Sequence, residues 1–290
     1  MNILVTGGNG QLGSELRSLQ RDYPAWMFCF CDLPDLDITD SNAVDALMRT
    51  CKCNVIVNCA AYTAVDQAEQ EPGRAYRVNR DGAGVLAACA KAHHALLIHI
   101  STDYVFDGNS CLPYRETDRP APLGIYGKSK RAAEELIFEI APSFLILRTS
   151  WLYSLYGHNF LKTMLRLGAE KDVIKVIFDQ TGTPTYAGDL ARAIMTILGK
   201  VRLDEQYGAL YHYSNEGVCS WYDFAVAIMA LKKLPCKVLP IETTEYPLPS
   251  PRPFFSVLNK SAIKRDWGLV IPYWRDSLES VLLAEEDAGL

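Results

Sequence analysis

No stretch of this chain approaches eighteen uninterrupted apolar residues, so the sequence offers no membrane-spanning helix. Basic runs are missing too. With a net charge of −5 and a pI near 5.6, the chain lacks the positive surface that nucleic acid requires. Its nine cysteines lack metal-ligand spacing: Cys51-Lys-Cys53 is too close for a usual zinc pair, and no second pair follows. Cys29, Cys31, Cys59 and Cys89 sit inside apolar segments, where thiols behave as small hydrophobes. The expectation is reduced thiols in a cytoplasmic protein, without metal. His93-His94 and His99 have no ligand spacing either and read as structural. The first strand starts at residue 2, which leaves no room for a signal peptide ahead of it and points the same way. Internal repeats and low-complexity segments are absent.

What is present is an ordinary globular composition, 49% hydrophobic and 22% charged, over 290 residues. That length buries a large core and suits one or two domains.

Asn2-Ile-Leu-Val-Thr6 reads as a buried strand, and Gly7-Gly-Asn-Gly10-Gln-Leu-Gly13 follows at once. Gly8, Gly10 and Gly13 fit G-x-G-x-x-G; Gly7, Gly10 and Gly13 fit the G-x-x-G-x-x-G variant. Dinucleotide binding needs a tight turn, a backbone without Cβ where the pyrophosphate approaches, and close helix–strand packing. Leu12, Leu16 and Leu19 repeat at helical spacing, so a helix beginning near Gly10 would turn its N–H groups toward the phosphates. A second strand, Met27–Cys31, ends at Asp32, whose carboxylate suits a ribose 2′-hydroxyl and repels a 2′-phosphate.

Tyr126-Gly-Lys-Ser-Lys130 places a phenol and an ammonium four residues apart, on one face of a helix. An unperturbed tyrosine titrates near about 10, too high for easy proton exchange. A lysine cation about 6 Å away favours the phenolate by roughly 3 kcal/mol at an effective dielectric of about 20. That corresponds to about two pKa units. The sequence therefore predicts a tyrosine tuned by its lysine to carry a proton.

Val55–Cys59, Leu96–Ile100 and Phe144–Arg148 are short apolar runs of buried-strand type, with helical patterns over Ser41–Cys51 and Arg74–Ala92. Such alternation predicts an α/β, Rossmann-type doubly wound parallel sheet. Further on, Val173–Ile177 reads as a strand and Gly188–Lys200 as a helix. From Gly208 tyrosine and proline increase, and Tyr246-Pro-Leu-Pro-Ser-Pro251 reads as a loop, which suggests a smaller C-terminal lobe. Ligands of such sheets sit beyond the carboxyl ends of the strands. Ala60-Ala-Tyr-Thr63, Ser101-Thr-Asp-Tyr104 and Thr149-Ser-Trp151 stand there, and a hydroxyl at Ser101 or Thr102 could reach the same reacting oxygen as Tyr126.

Taken with Val57–Asp66, Ser101-Thr-Asp-Tyr-Val-Phe106, Leu147-Arg-Thr-Ser-Trp151, Asn159–Met164 and Asp179–Thr185, these motifs make the chain resemble the extended short-chain dehydrogenase/reductases, and more closely the dTDP-4-dehydrorhamnose reductases, over nearly its whole length. The resemblance implies a catalytic set of Thr102, Tyr126 and Lys130. It implies a cofactor site, for NADPH or NADH, built from Gly7, Gly10, Gln11, Leu12, Gly13, Asp32, Asp37, Ile38, Ala61, Tyr62 and Thr63, with Tyr126 and Lys130. Thr102, Asp103, Tyr104 and Trp151 would border a dTDP-sugar, with Arg252 a clamp for its diphosphate. Residues 1–150 and about 177–213 would hold the dinucleotide; about 151–176 and 214–290 would form the substrate-binding lobe. Some such enzymes hold magnesium at a dimer contact through glutamates. Glu15 matches one, but Gly188-Asp189 stands near where another would be, so no metal ligands are assigned and a homodimer stays an option.

The implied reaction is reduction of a C4 ketone on a nucleotide-linked 6-deoxyhexose. Three alternatives stand beside it. A 4,6-dehydratase would need a glutamate where this chain has Tyr104. Another nucleotide-sugar reductase or epimerase shares the superfamily. A non-catalytic regulatory subunit, similar to that of methionine adenosyltransferase, would not need the Thr-Tyr-Lys set.

Overall fold

The structure is a computed structural model that describes residues 1–288. Six parallel strands form its central sheet: β1 (Asn2–Thr6), β2 (Met27–Cys31), β3 (Val55–Asn58), β4 (Leu96–Thr102), β5 (Phe144–Thr149) and β6 (Gly208–His212). Their order across the sheet is β6-β5-β4-β3-β1-β2. The order reverses between β1 and β3, which opens a crevice there at the carboxyl edge.

Side chains along β1 alternate between the faces. Ile3 and Val5 enter one core with Leu12 and Leu16 of helix α1 (Gln11–Leu19), while Leu4 enters the other. That second core is built from α2 (Ser41–Cys51), α3 (Gly82–Ala92) and α4 (Ile125–Ile140). Helix α5 (Ala187–Leu198) covers the first face through Leu190, Ile194 and Leu198. Both faces of the sheet are thus sealed, which is why its strands read as continuous apolar runs.

A third core contains no residue of the sheet. Tyr153, Leu161, Ile174, Phe224 and Leu278 meet in it, and Val173–Ile177 pairs in parallel with Lys237–Ile241 beside it.

The structure amends the sequence reading in three places. Strand β4 runs on to Thr102, so Ser101 and Thr102 belong to the strand rather than to the loop after it. The helical stretch 74–92 is broken by a π-helical turn at Arg77–Asp81. Gly208–His212, where tyrosine enrichment suggests only a change of lobe, is the sixth strand and pairs with β5.

Candidate active site

A cleft of about 720 Å³ opens at the carboxyl ends of β1, β3, β4 and β5. Gly7, Gly10, Gln11 and Leu12 form one wall, and Asp32, Asp37 and Ile38 continue it. Ala61, Thr63, Thr102, Asp103 and Tyr104 form the floor, with Tyr126, Lys130 and Trp151 beside them. Three of the expected residues do not line it: Gly13, Tyr62 and Arg252.

The glycines are where backbone meets backbone. Gly7 takes φ +66°, and a Cβ there would lie 2.6 Å from Ala60 N. A Cβ on Gly13 would lie 2.3 Å from the Gly7 carbonyl, so this residue serves helix–turn packing behind the cleft. Gly10 is the N-cap of helix α1, and no side chain caps the helix there. Its first N–H groups therefore face the cleft as free donors, the arrangement that receives phosphate. Asp32 Oδ2 accepts from Asn9 N at 3.0 Å, and Oδ1 from Leu33 N at 2.8 Å. The acid is thereby fixed at the end of β2. A dinucleotide fits this wall.

Helix α4 carries Tyr126 and Lys130 on its cleft side. Asn79, in the π-helical turn, locks that helix to the loop after β3. Its side chain accepts from Tyr62 N (2.8 Å) and donates to the Tyr62 carbonyl (3.1 Å) and to Ser129 Oγ (2.9 Å). Ser129 Oγ donates in turn to the Tyr126 carbonyl at 2.8 Å. Tyr62 thus acts behind the site through its backbone. Single-turn π insertions concentrate at functional sites, but nothing in the local sequence announces this one.

Burial pushes the Tyr126 phenol up, to about 12; a hydrogen bond with Thr102 opposes the rise and Asp103 adds to it. Lys130 does not bring it down, contrary to the sequence expectation. The reason is where the ammonium points: Lys130 Nζ donates to the Ile100 carbonyl at 2.6 Å and lies 3.2 Å from His99 Nε2. Lysine spacing on a helix sets the face but not the direction of four flexible bonds. Lys130 itself is lowered to about 8, by burial, against the opposing pull of Glu134 and Cys59.

Thr102 Oγ1 donates to Asp103 Oδ1 at 3.1 Å and accepts from Tyr104 N. Burial pushes the Asp103 carboxyl up to about 7, held back in part by the Ser256 and Thr102 hydroxyls. Tyr104 meets Tyr126 edge to face, with ring centroids 5.6 Å apart.

Trp151, just beyond β5, adopts φ +46°, a backbone region that costs a bulky residue about 1–3 kcal/mol. Its ring stacks on Trp221 at 3.6 Å and 8°. On Gly182, a Cβ would sit 2.6 Å from Trp151 Cε2. Trp221 also lines the cleft, and the sequence reading did not single it out. Arg252 is pinned by Asp66 (2.8 Å) and the Ser250 carbonyl, 6.0 Å from the Tyr104 ring. It stands beside Tyr104, which lines the cleft.

Glu15 lies inside the fold, accepting from Ser154 Oγ at 2.6 Å and Tyr186 OH at 3.3 Å. Asp189 is engaged by Asn215, Ser277 and Arg192. All nine cysteines are free thiols. No helix among the described residues is long and apolar enough to cross a membrane.

With this geometry in view, comparison with known proteins is informative. The family model described as "RmlD substrate binding domain" matches residues 1–286. A dTDP-4-dehydrorhamnose reductase of Aggregatibacter actinomycetemcomitans is 42% identical, covering 96% of this chain and 97% of its own. A solved dTDP-4-dehydrorhamnose reductase from Clostridium acetobutylicum superposes with a TM-score of 0.93, at 41% identity, covering 99% of this chain and all of the other. One from Bacillus anthracis, in complex with NADP, has a TM-score of 0.92 at 39% identity, covering 98% and 99% of the two chains.

Proposed function

This chain belongs to the RmlD substrate binding domain family, and from that premise we propose that it reduces the C4 ketone of dTDP-4-dehydro-L-rhamnose to dTDP-L-rhamnose with NADPH or NADH. The observation that carries the reading is the convergence of Thr102, Tyr126 and Lys130 in one cleft with an uncapped glycine-rich helix start.

A reduced nicotinamide, when bound, supplies the hydride that reaches C4. The chain's own residues do the rest. Gly7, Gly10 and the N–H groups of Gln11 and Leu12 take the diphosphate, and Asp32 takes the adenosine ribose. Tyr126, kept protonated at neutral pH by its burial, gives its proton to the ketone oxygen. Thr102 orients that oxygen, and Lys130 would hold the nicotinamide ribose and stabilise the phenolate. General acid catalysis of this kind contributes roughly 10² to 10⁴ in rate. Asp103, Tyr104 and Trp151 border the sugar, and Arg252 serves as a clamp for its diphosphate. Residues 1–150 with about 177–213 serve the dinucleotide, and about 151–176 with 214–290 serve the sugar; the separate third core supports that division. A cytoplasmic homodimer completes this reading, and light scattering on the purified chain tests the dimer.

The experiment is direct. The purified protein should oxidise NADPH only when dTDP-4-dehydro-L-rhamnose is added, and NMR of the product should show dTDP-L-rhamnose. Co-purification with a synthetase and no NADPH oxidation would favour the regulatory alternative.

A further inference from the structure

The helix that carries Tyr126 opens without a cap of its own. Gly124, the N-cap of α4, has no side chain to offer, so the first N–H groups need acceptors from elsewhere in the chain. The N–H of Ile125 finds one 56 residues back, donating to Glu69 Oε1 at 2.8 Å. The same oxygen accepts from Ser250 Oγ, also at 2.8 Å. Ser250 is 1% exposed, so its hydroxyl depends on a partner inside the protein.

These three segments meet with no room to spare. A Cβ on Gly124 would lie 2.4 Å from Ser250 Oγ and 2.7 Å from Glu69 Oε1. Gly127, one residue past Tyr126, is seated as closely: a Cβ there would lie 2.2 Å from the Tyr104 carbonyl oxygen. Tyr126 thus stands between two points at which the helix rests on other parts of the chain.

Asp66 and Glu69 are three residues apart in the short helix Val65–Gln70, hence on one face. Asp66 holds the same loop from its other side. Its Oδ1 accepts from Ser250 N at 3.2 Å and its Oδ2 from Arg252 Nη2 at 2.8 Å. The loop that carries Arg252 and the helix that carries Tyr126 are both fastened to Val65–Gln70, and Glu69 Oε1 is the atom they share.

We infer that Glu69 is a positioning residue that sets the acid on α4 against the substrate loop around Ser250 and Arg252. It does not line the cleft, so it acts through the helix start and the loop. Nothing in the local sequence marks it, because its two partners lie 56 and 181 residues away. For the reaction, this rests on the reading of Tyr126 as the acid and Arg252 as the clamp. Misplacing a reacting group by about 1 Å can cost about 10²-fold in rate. Loss of the shared acceptor therefore belongs in kcat, not in the binding of the dinucleotide at the opposite wall.

The test has two readouts. The first is hydrogen exchange of the Ile125 amide, followed by NMR in ligand-free protein, which reads the bond without any chemistry. In Glu69→Ala that amide should exchange about tenfold faster, the worth of one hydrogen bond, while Ile98 and Ile146 in the sheet keep their rates. The second is kinetics: kcat should fall about tenfold or more, with the Kd for NADPH unchanged. A merely structural loss would instead speed exchange in the sheet and weaken NADPH as well. Glu69→Gln keeps an oxygen at the same reach and should restore both readouts. Glu69→Asp keeps the charge but is one methylene shorter, and should behave as Glu69→Ala does; it decides if the alanine variant fails to fold. Unchanged Ile125 exchange in Glu69→Ala, an unchanged kcat, or no rescue by Glu69→Gln overturns the inference. If the wild-type chain reduces no sugar, the proposed function falls, and the exchange rates alone decide whether Glu69 positions the helix.

Discussion

Arg148 and Glu134 form a two-point ion pair, Nε to Oε1 and Nη2 to Oε2 both at 2.7 Å, with both side chains sealed from solvent. Glu134 stands one turn beyond Lys130, so the pair bolts the helix that carries Tyr126 and Lys130 onto β5. Ser101 Oγ adds a 2.7 Å bond from β4. Burial alone would raise the Glu134 carboxyl, but Arg148, Ser101 and Arg131 outweigh it and the net direction is down. Glu134→Gln leaves Arg148 uncompensated and should destabilise the protein by about 3–5 kcal/mol at neutral pH. A carboxylate held low contributes its stability above its unfolded pKa and loses it as pH falls through the folded one. The gap between wild type and variant, measured by urea unfolding, should therefore narrow on acidification.

Asp103 has the opposite sign. Its carboxyl rises from 3.8 to about 7 through burial, and Oδ2 has no hydrogen-bond partner among the described residues. A raised group gives its full stability below the unfolded pKa and loses it as pH climbs through the folded one. Asp103→Asn should match wild type in thermal unfolding near pH 4 and exceed it at pH 8. The ceiling on that gain is about 4 kcal/mol. Equal unfolding temperatures at pH 8 would show that the carboxylate is not a burden.

Much of this was legible in the sequence, for identifiable reasons. The glycine turn could be read because backbone contact at Gly7 and Gly13 tolerates no Cβ, which leaves one residue type. Strands β1, β3, β4 and β5 could be read because burial on both faces forces apolar runs. Strand β6 could not: it is an edge strand, partly exposed, with glycine and alanine in its first half. Trp221 and Asn79 owe their places to packing between segments distant in the chain. Lys130 showed its helix face but not its partners, so the effect expected on Tyr126 was misjudged.

Gly182 leaves Trp151 its place. A methyl group there would press within 2.6 Å of the indole and push it off Trp221. Gly182→Ala should raise KM for the dTDP-sugar severalfold while leaving the Kd for NADPH unchanged. Steady-state kinetics and cofactor titration separate the two. A variant with unchanged KM would place Trp151 outside the sugar site.

Asp32 should set cofactor preference. Its carboxylate, fixed by Asn9 N and Leu33 N at the cleft wall, repels a 2′-phosphate. Asp32→Ala should shift the ratio of kcat/KM values toward NADPH. An unchanged ratio would mean that this acid does not read the ribose.

The central claim is hydride delivery to C4 with Tyr126 as the acid. Incubating the protein with dTDP-4-dehydro-L-rhamnose and NADPH deuterated at the transferring position should yield a product with one deuterium, at sugar C4. The same assay on Tyr126→Phe should run roughly 10² to 10⁴ slower, with NADPH still bound. Deuterium absent from C4, or near-normal transfer by Tyr126→Phe, would contradict the account.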